Sequence, residues 1–326
     1  MPALETRDLT KDYPVGFWRR RPYRALDALT LTVEGGEVFG FLGPNGAGKT
    51  TTLKLLMGLV SPTSGEAELI GRPVGDVLAR RRVGYLPENP YLYDYLTAEE
   101  LLQYFAGLFG YAPAERRRRA ARLLDEAGIG AERRLQLRKF SKGMLQRVGI
   151  AQALINDPEL VVLDEPMSGL DPLGRRDVRA QILRLRDRGC TVFFSSHVLA
   201  DAEALCSRVA ILARGRLVTV GRLADIVAFT VRGWELVASG VDDVLAAALE
   251  REVRRLVRIG DGRYAMELPA DLSPDRVLGQ MTAAGATLVS LNPIRDTLED
   301  YFVRQVTGQA PVDRGLGDGP PAGGPR

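Results

Sequence analysis

The alternation of apolar and polar positions sets the first expectations. Residues 4–9 and 29–33 alternate with a period of two and predict two strands. Between them, Pro14 to Pro22 encloses Phe17, Trp18, Arg19, Arg20 and Arg21, an aromatic and basic loop. Residues 38–42 form a short apolar run, followed by a glycine-rich turn and a helical period over 49–59. A strand–turn–helix unit is predicted there. Thr97 and Glu100 make a capping box ahead of Leu101, Leu102, Tyr104, Phe105 and Leu108. Pro113 opens a second helix that contains Arg116, Arg117, Arg118 and Arg119. Four consecutive arginines cover every side of a helical turn, so most of them are expected in solvent. Ser141 caps a further helix to about residue 155. Asp157-Pro158 breaks the chain before the apolar run 160–163, and a helix over 175–188 precedes a strand over 191–194. Strand and helix in alternation predict α/β architecture with a mostly parallel sheet. Residues 209–212 and 217–220 read as a hairpin around Arg214-Gly215.

After about Arg222 the pattern changes. Strands are predicted at 229–237, 253–259, 264–268 and 287–291, with helices at 241–250 and 274–284. The order β-α-β-β-α-β is that of a small ferredoxin-like α+β domain. A last helix is expected over 296–306. Residues 308–326, rich in Gly and Pro, offer almost nothing to bury and are expected to be disordered. The expected organisation is therefore 1–222, 223–307 and 308–326.

Composition narrows the function classes. Over 326 residues, 44 Lys and Arg against 41 Asp and Glu leave a formal charge of only +3, which excludes a strongly basic nucleic-acid coat protein. Apolar residues at 45% exclude a wholly disordered chain. No apolar run approaches the ~18 residues of a spanning helix, and the opening MPALETRD has no signal-peptide pattern. Cys190 and Cys206 lack metal spacing and are expected as packed, reduced thiols. The lone histidine, His197, excludes a multi-histidine metal centre.

The chemistry concentrates in two motifs. Gly43-Pro44-Asn45-Gly46-Ala47-Gly48-Lys49-Thr50, with Thr51 after it, satisfies G-x-x-x-x-G-K-[ST]. Its glycines let backbone N–H groups curl around phosphate oxygens, and the following helix adds its positive end. Lys49 can reach the β- and γ-phosphates, and the Thr50 hydroxyl can ligate Mg²⁺. The apolar strand 160–163 ends in Asp164, placed for the Mg²⁺ shell, and Glu165, placed to activate a water as general base.

With these residues in place, the chain resembles the ATP-binding subunits of ABC transporters over roughly residues 1–222. Phe140 to Arg147 resembles the family's signature segment, Ser168-Gly169-Leu170-Asp171 its interface loop, and His197 its switch histidine. The resemblance implies that Tyr13 stacks on adenine. It also implies that Ser141, Gly143 and Asp171 contact nucleotide, that His197 meets the γ-phosphate, and that Glu88 senses Mg²⁺. Lys142 and Met144 stand where the usual signature has glycine and glutamine, and Glu88 where it has glutamine. Residues 297–302 and 306–308 resemble the ending of ATPases that serve drug, lipid, polysaccharide and gliding-motility exporters. The implied protein binds ATP and Mg²⁺, closes as a homodimer around two ATP molecules and drives a separately encoded integral membrane permease. It would sit at the cytoplasmic face of the membrane, with no nucleic-acid partner. The alternative is a soluble ABC-type ATP switch acting on nucleic acid or ribosomes. The absence of heptads and of a second phosphate loop speaks against it.

Overall fold

In the computed structural model, which describes residues 1–15, 21–227 and 231–295, the N-terminal alternation belongs to a long hairpin. β1 (Pro2–Val15) and β2 (Arg21–Glu34) pair antiparallel, with Tyr13 opposite Tyr23 and Pro14 opposite Pro22. The strands thus run past the prolines at which the sequence predicts a loop. Arg24 closes the pair by reaching Asp12 through Nε at 2.9 Å and Nη2 at 3.1 Å. Residues 16–20, the expected helix at 296–306 and the expected tail at 308–326 lie outside the described residues.

Two compact units divide the chain, Met1–Ala224 and Asp225–Arg326. In the first, β1 and β2 continue through β3 (Val38–Leu42), α1 (Lys49–Leu56), β4 (Ser64–Leu69), β5 (Arg72–Pro73), α2 (Val77–Arg80) and β6 (Val83–Leu86). Helices α3 (Ala98–Leu108), α4 (Pro113–Glu126) and α5 (Lys142–Ala153) follow. Then come β7 (Leu160–Leu163), α6 (Pro172–Asp187), β8 (Thr191–Ser196), α7 (Leu199–Leu205), β9 (Arg208–Ala213) and β10 (Arg216–Arg222), and α8 (Leu223–Val227) begins in this unit and runs past its last residue. One sheet has the order β2-β1-β4-β5. The other has the order β10-β9-β3-β8-β7-β6 and is parallel except for β10. α1 stops at Leu56, before the expected residue 59, because Gly58 takes φ 65°.

The core lies between the two sheets and α1. Phe193 of β8 stacks on Phe39 with ring centroids 5.8 Å apart and tilts against Phe41 at 5.3 Å. Leu4, Leu29 and Leu53 close around them, fully buried. Burying each such side chain contributes about 1.5–3 kcal/mol. A second apolar cluster joins α3, α4 and α5 through Leu101, Leu102, Leu123, Leu124 and Val148. The expected capping box starts α3: Thr97 Oγ1 accepts from Glu100 N at 3.2 Å, and Glu100 Oε2 accepts from Thr97 N at 2.9 Å.

The arginine run corrects the expectation of solvent exposure. Arg117 and Arg118 are exposed, whereas Arg116 and Arg119 are half-buried. Arg116 donates to Tyr111 O at 2.5 Å. Arg119 lies 4.0 Å from the Tyr111 ring centroid and pairs with Glu115 and Asp157. Two of the four therefore tie α4 to the turn before it and to the turn after α5. Both thiols are free and are pushed up by burial, that of Cys190 to about 11.

The second unit holds β11 (Val231–Ser239), α9 (Asp243–Leu249), β12 (Arg255–Gly260), β13 (Arg263–Pro269), α10 (Pro274–Ala283) and β14 (Thr287–Arg295). Its sheet order is β12-β13-β11-β14, with every pairing antiparallel, the ferredoxin-like arrangement. Leu236, Met266 and Leu268 pack there against Leu245 and Leu249 of α9 and Val277 and Met281 of α10. Among the described residues no helix is long and apolar enough to cross a membrane.

Candidate functional site

Parallel register brings four strand ends to one edge of the sheet. Leu42 pairs with Ser196, Leu163 with Phe194 and Leu86 with Leu163. Gly43, His197, Asp164 and Glu88 leave from or just beyond those ends, the edge where α/β sheets bind ligands.

The loop from Gly43 to Thr50 needs its glycines. A Cβ on Gly48, at φ 106°, would stand 2.5 Å from Ala25 O, and one on Gly43 would stand 2.5 Å from Leu212 O. Gly215 N donates to Ala47 O at 2.8 Å and fastens the loop to the β9–β10 turn. Pro44, Asn45 and Gly46 form its exposed tip, while Ala47 and Lys49 are buried and Thr51 is half-buried. α1 starts at Lys49 with no side-chain cap on its first N–H groups, which suits an anion. Lys49 Nζ donates to Gly43 O at 2.6 Å and Pro44 O at 3.2 Å, and lies 3.2 Å from Glu165 Oε1.

The two carboxylates after β7 point apart. Asp164 is 1% exposed; its Oδ1 accepts from Ser195 Oγ at 2.7 Å and from Thr50 Oγ1 at 3.5 Å. Its Oδ2 is buried without a partner. Burial holds the Asp164 carboxyl above its ordinary 3.8, and the negative charges of Glu88 and Glu165 add to that. The Ser195 and Thr50 hydrogen bonds oppose it. Glu165 turns away at φ 48°, a conformation that costs on the order of 1 kcal/mol. The hydrogen bond from Glu165 N to Ser195 Oγ at 2.9 Å steadies it. Its Oε2 meets His197 Nδ1 at 2.8 Å, so Glu165 bridges Lys49 and His197.

A buried carboxylate oxygen without a partner, a neighbouring hydroxyl and surplus negative charge suit a hard divalent cation. Among the described residues no three His, Cys, Asp or Glu converge as a metal cage. Mg²⁺ takes one or two carboxylates and completes its shell with water and substrate phosphates, so the Asp164 carboxylate and the Thr50 hydroxyl are donors of the kind it uses.

The structure thus gathers Lys49, Thr50, Asp164, Glu165 and His197 at one edge, with Glu88 exposed beside them. Tyr13 stands in β1, with Lys11 Nζ 5.1 Å from its ring centroid. Ser141, Gly143 and Asp171 gather elsewhere, at the starts of α5 and α6. Ser141 Oγ accepts from Met144 N at 3.3 Å and Asp171 Oδ1 from Gly174 N at 2.8 Å. Lys142 covers Gly169, and the Cβ position of Gly143 is 3.9 Å from Leu170 Cδ2. Sequence reasoning passes over Ser195, whose hydroxyl links Asp164 to the backbone of Glu165. The available signal was a hydroxyl two residues before His197 at the end of a buried strand.

The ABC transporter family matches residues 26–168. An uncharacterised ABC transporter ATP-binding protein of Synechocystis sp. is 46% identical over 306 residues, covering 93% of this chain and 84% of the relative. The chain belongs to the ABC transporter ATP-binding proteins. A second member of this family, the linearmycin resistance ATP-binding protein of Bacillus subtilis, is 31% identical across 86% of this chain and 93% of its own length. Among solved structures, a dimeric, post-hydrolysis ATP-binding cassette bound to ADP and Pi superposes with a TM-score of 0.62. It is 27% identical and covers 68% of this chain and 98% of its own. As an ABC transporter ATP-binding subunit, the chain binds and hydrolyses ATP.

Proposed function

We propose that this ATPase powers a separate integral membrane permease that exports its cargo. In this reading it works peripherally at the cytoplasmic face as a symmetric pair of copies. The observation that carries the reading is the bridge Lys49–Glu165–His197 beside Asp164. Export is supported by the similarity to the linearmycin resistance ATP-binding protein over most of both chains. A second copy is supported by the similar cassette solved as a dimer, and by the place of Ser141, Gly143 and Asp171 at the starts of α5 and α6, a second cluster that another copy's nucleotide can meet.

In this reading the N–H groups of 43–51 and the Lys49 ammonium hold the phosphates, and Tyr13 offers a ring to adenine. Thr50 and Asp164 would hold Mg²⁺, with Glu88 beside them, and the ion would supply charge neutralisation of the phosphate oxygens. Glu165 takes the proton of the attacking water. His197, with Nδ1 on Glu165, keeps Nε2 for the γ-phosphate. Ser141, Gly143 and Asp171 of one copy close on the nucleotide of the other.

Glu165→Gln removes the base and keeps the shape. Turnover should fall about 10²–10⁴-fold, and size-exclusion chromatography with ATP and Mg²⁺ should show a dimer, whereas Asp164→Ala should show less of it. Wild-type turnover or a monomer at high protein concentration would sink the reading. For the partner, a pull-down from solubilised membranes should recover a polytopic permease.

A further inference from the structure

His197 is carried on a short turn, and the structure shows what holds that turn. Ser196 Oγ accepts from Val198 N at 2.9 Å and donates to Val198 O at 3.2 Å, bracing the backbone on either side of the histidine. The next anchor is Asp201 in the first turn of α7. Asp201 is only 2% exposed, deep for a carboxylate on a helix of seven residues. It faces α6, where Arg179 Nη2 meets Oδ1 at 2.6 Å and Arg175 Nη1 lies 3.8 Å from Oδ2. Arg175 and Arg179 stand one turn apart on the same face of α6. Arg175 N also donates to Asp171 O at 3.0 Å, in the first turn after the Asp171 cap. One buried carboxylate therefore fastens the histidine's helix to the helix that begins at the segment 168–171.

We propose that Asp201, clamped by Arg175 and Arg179, is a positioning residue for His197 that keeps its imidazole on Glu165 and ties that contact to the segment Ser168-Gly169-Leu170-Asp171. The proposal rests on the reading of His197 and Glu165 as members of the hydrolytic site. The chemistry favours positioning over simple packing. An apolar residue would fill the same place against α6 without desolvating a charge, whereas an ion pair adds direction as well as contact. Arg179 meets the carboxylate through Nη2, and its Nε is buried with no partner. The clamp is thus one donor short of a bidentate pair, and a small rotation of α7 against α6 would tighten it using groups already present.

The test is a double-mutant cycle on the full chain. Asp201→Asn, Asp201→Glu, His197→Ala and Asp201→Asn/His197→Ala are compared for kcat, for affinity toward a fluorescent ATP analogue and for thermal unfolding. Misplacing a catalytic group can cost up to about a hundredfold in rate. Asp201→Asn should therefore lower kcat about tenfold or more, with nucleotide affinity within about twofold. Asp201→Glu should recover much of the rate. In the His197→Ala background Asp201→Asn should change kcat less than about twofold, because the histidine through which it acts is gone. An equal loss in both backgrounds overturns the proposal, as does a loss that follows unfolding or nucleotide affinity alone. If Asp201→Asn does not fold, Arg179→Lys, which keeps the charge and loses the fork, takes its place in the same cycle. A wild-type rate for His197→Ala overturns the reading of the site and this proposal together. A slow His197→Ala without coupling overturns the proposal alone.

Discussion

Replacing Glu165 with glutamine should tighten ATP binding even as it stops turnover. The Lys49 ammonium lies 3.2 Å from Glu165 Oε1, and both side chains are buried. At an effective dielectric of about 20, charges at that separation attract by about 5 kcal/mol before desolvation is counted. Phosphate oxygens compete for the same ammonium and meet the same carboxylate as a like charge. Desolvation offsets most of the gross attraction, and the carbonyls of Gly43 and Pro44 hold Nζ in either case. A net release of about 1.4 kcal/mol corresponds to about a tenfold lower Kd. The assay is titration calorimetry with ATP and no divalent cation, at protein concentrations where the chain stays monomeric. In a Lys49→Ala background, ATP affinity itself should fall severely, and the further Glu165→Gln change should alter Kd less than about twofold. An unchanged or weaker Kd for Glu165→Gln would refute the competition. So would a tenfold tightening that survives Lys49→Ala, since it would arise from general repulsion and not from Lys49.

Three further outcomes follow from the same geometry. Ser195→Ala strips Asp164 of its 2.7 Å hydrogen bond and leaves the buried Glu165 N–H without its acceptor, which should cost about 1–3 kcal/mol in urea unfolding. Gly48→Ala should abolish nucleotide binding in the same calorimetric assay and destabilise the chain by more than about 1 kcal/mol, because its Cβ meets Ala25 O at φ 106°. Asp164 carries the pH dependence. Its carboxyl titrates above 3.8, so the folded chain takes up that proton more readily than the unfolded one. The buried charge costs stability at neutral pH, and the cost fades as pH falls through the raised value. The same protonation removes a Mg²⁺ ligand, so the Mg²⁺ needed for half-maximal ATPase activity should climb at a higher pH than an ordinary aspartate would give. Glu88→Gln should move that onset downward, and Mg²⁺ titrations at stepped pH would detect it.

What the sequence made legible was strongly punctuated. The run 38–42, its glycine turn and Lys49 announce a buried strand feeding a helix, and the run 160–163 ends visibly in two carboxylates. The stretch from β4 to β6 went unread for a physical reason. β4 is exposed over its first three residues and buries only Leu69, so it carries neither a period of two nor an apolar run. The hairpin β1–β2 was cut short because Pro14 and Pro22 read as turn residues, while pairing across the strands decides the matter. Which of the four arginines leave solvent is not legible, because helical position alone does not reveal that Tyr111 and Asp157 come alongside Arg116 and Arg119. Ser195 and Asp201 belong to the same class: their partners are about 20 to 30 residues away in the chain.

The fastening of the phosphate loop also orders events during synthesis. Ala47 O receives its hydrogen bond from Gly215 N, Asp27 N donates to Gly215 O at 2.8 Å, and Gly48 and Gly215 both crowd the Ala25 carbonyl. Segments near residues 25, 47 and 215 therefore meet at one junction. A nascent chain that has just emerged through His197 already carries every motif residue of the site, yet it lacks the turn that shapes the loop. At about 5–20 residues per second the delay from residue 50 to residue 215 is on the order of ten seconds or more. The phosphate loop therefore takes its final backbone contact only once residue 215 has been made and the β9–β10 turn has formed, so its shape depends on a segment far outside its own motif.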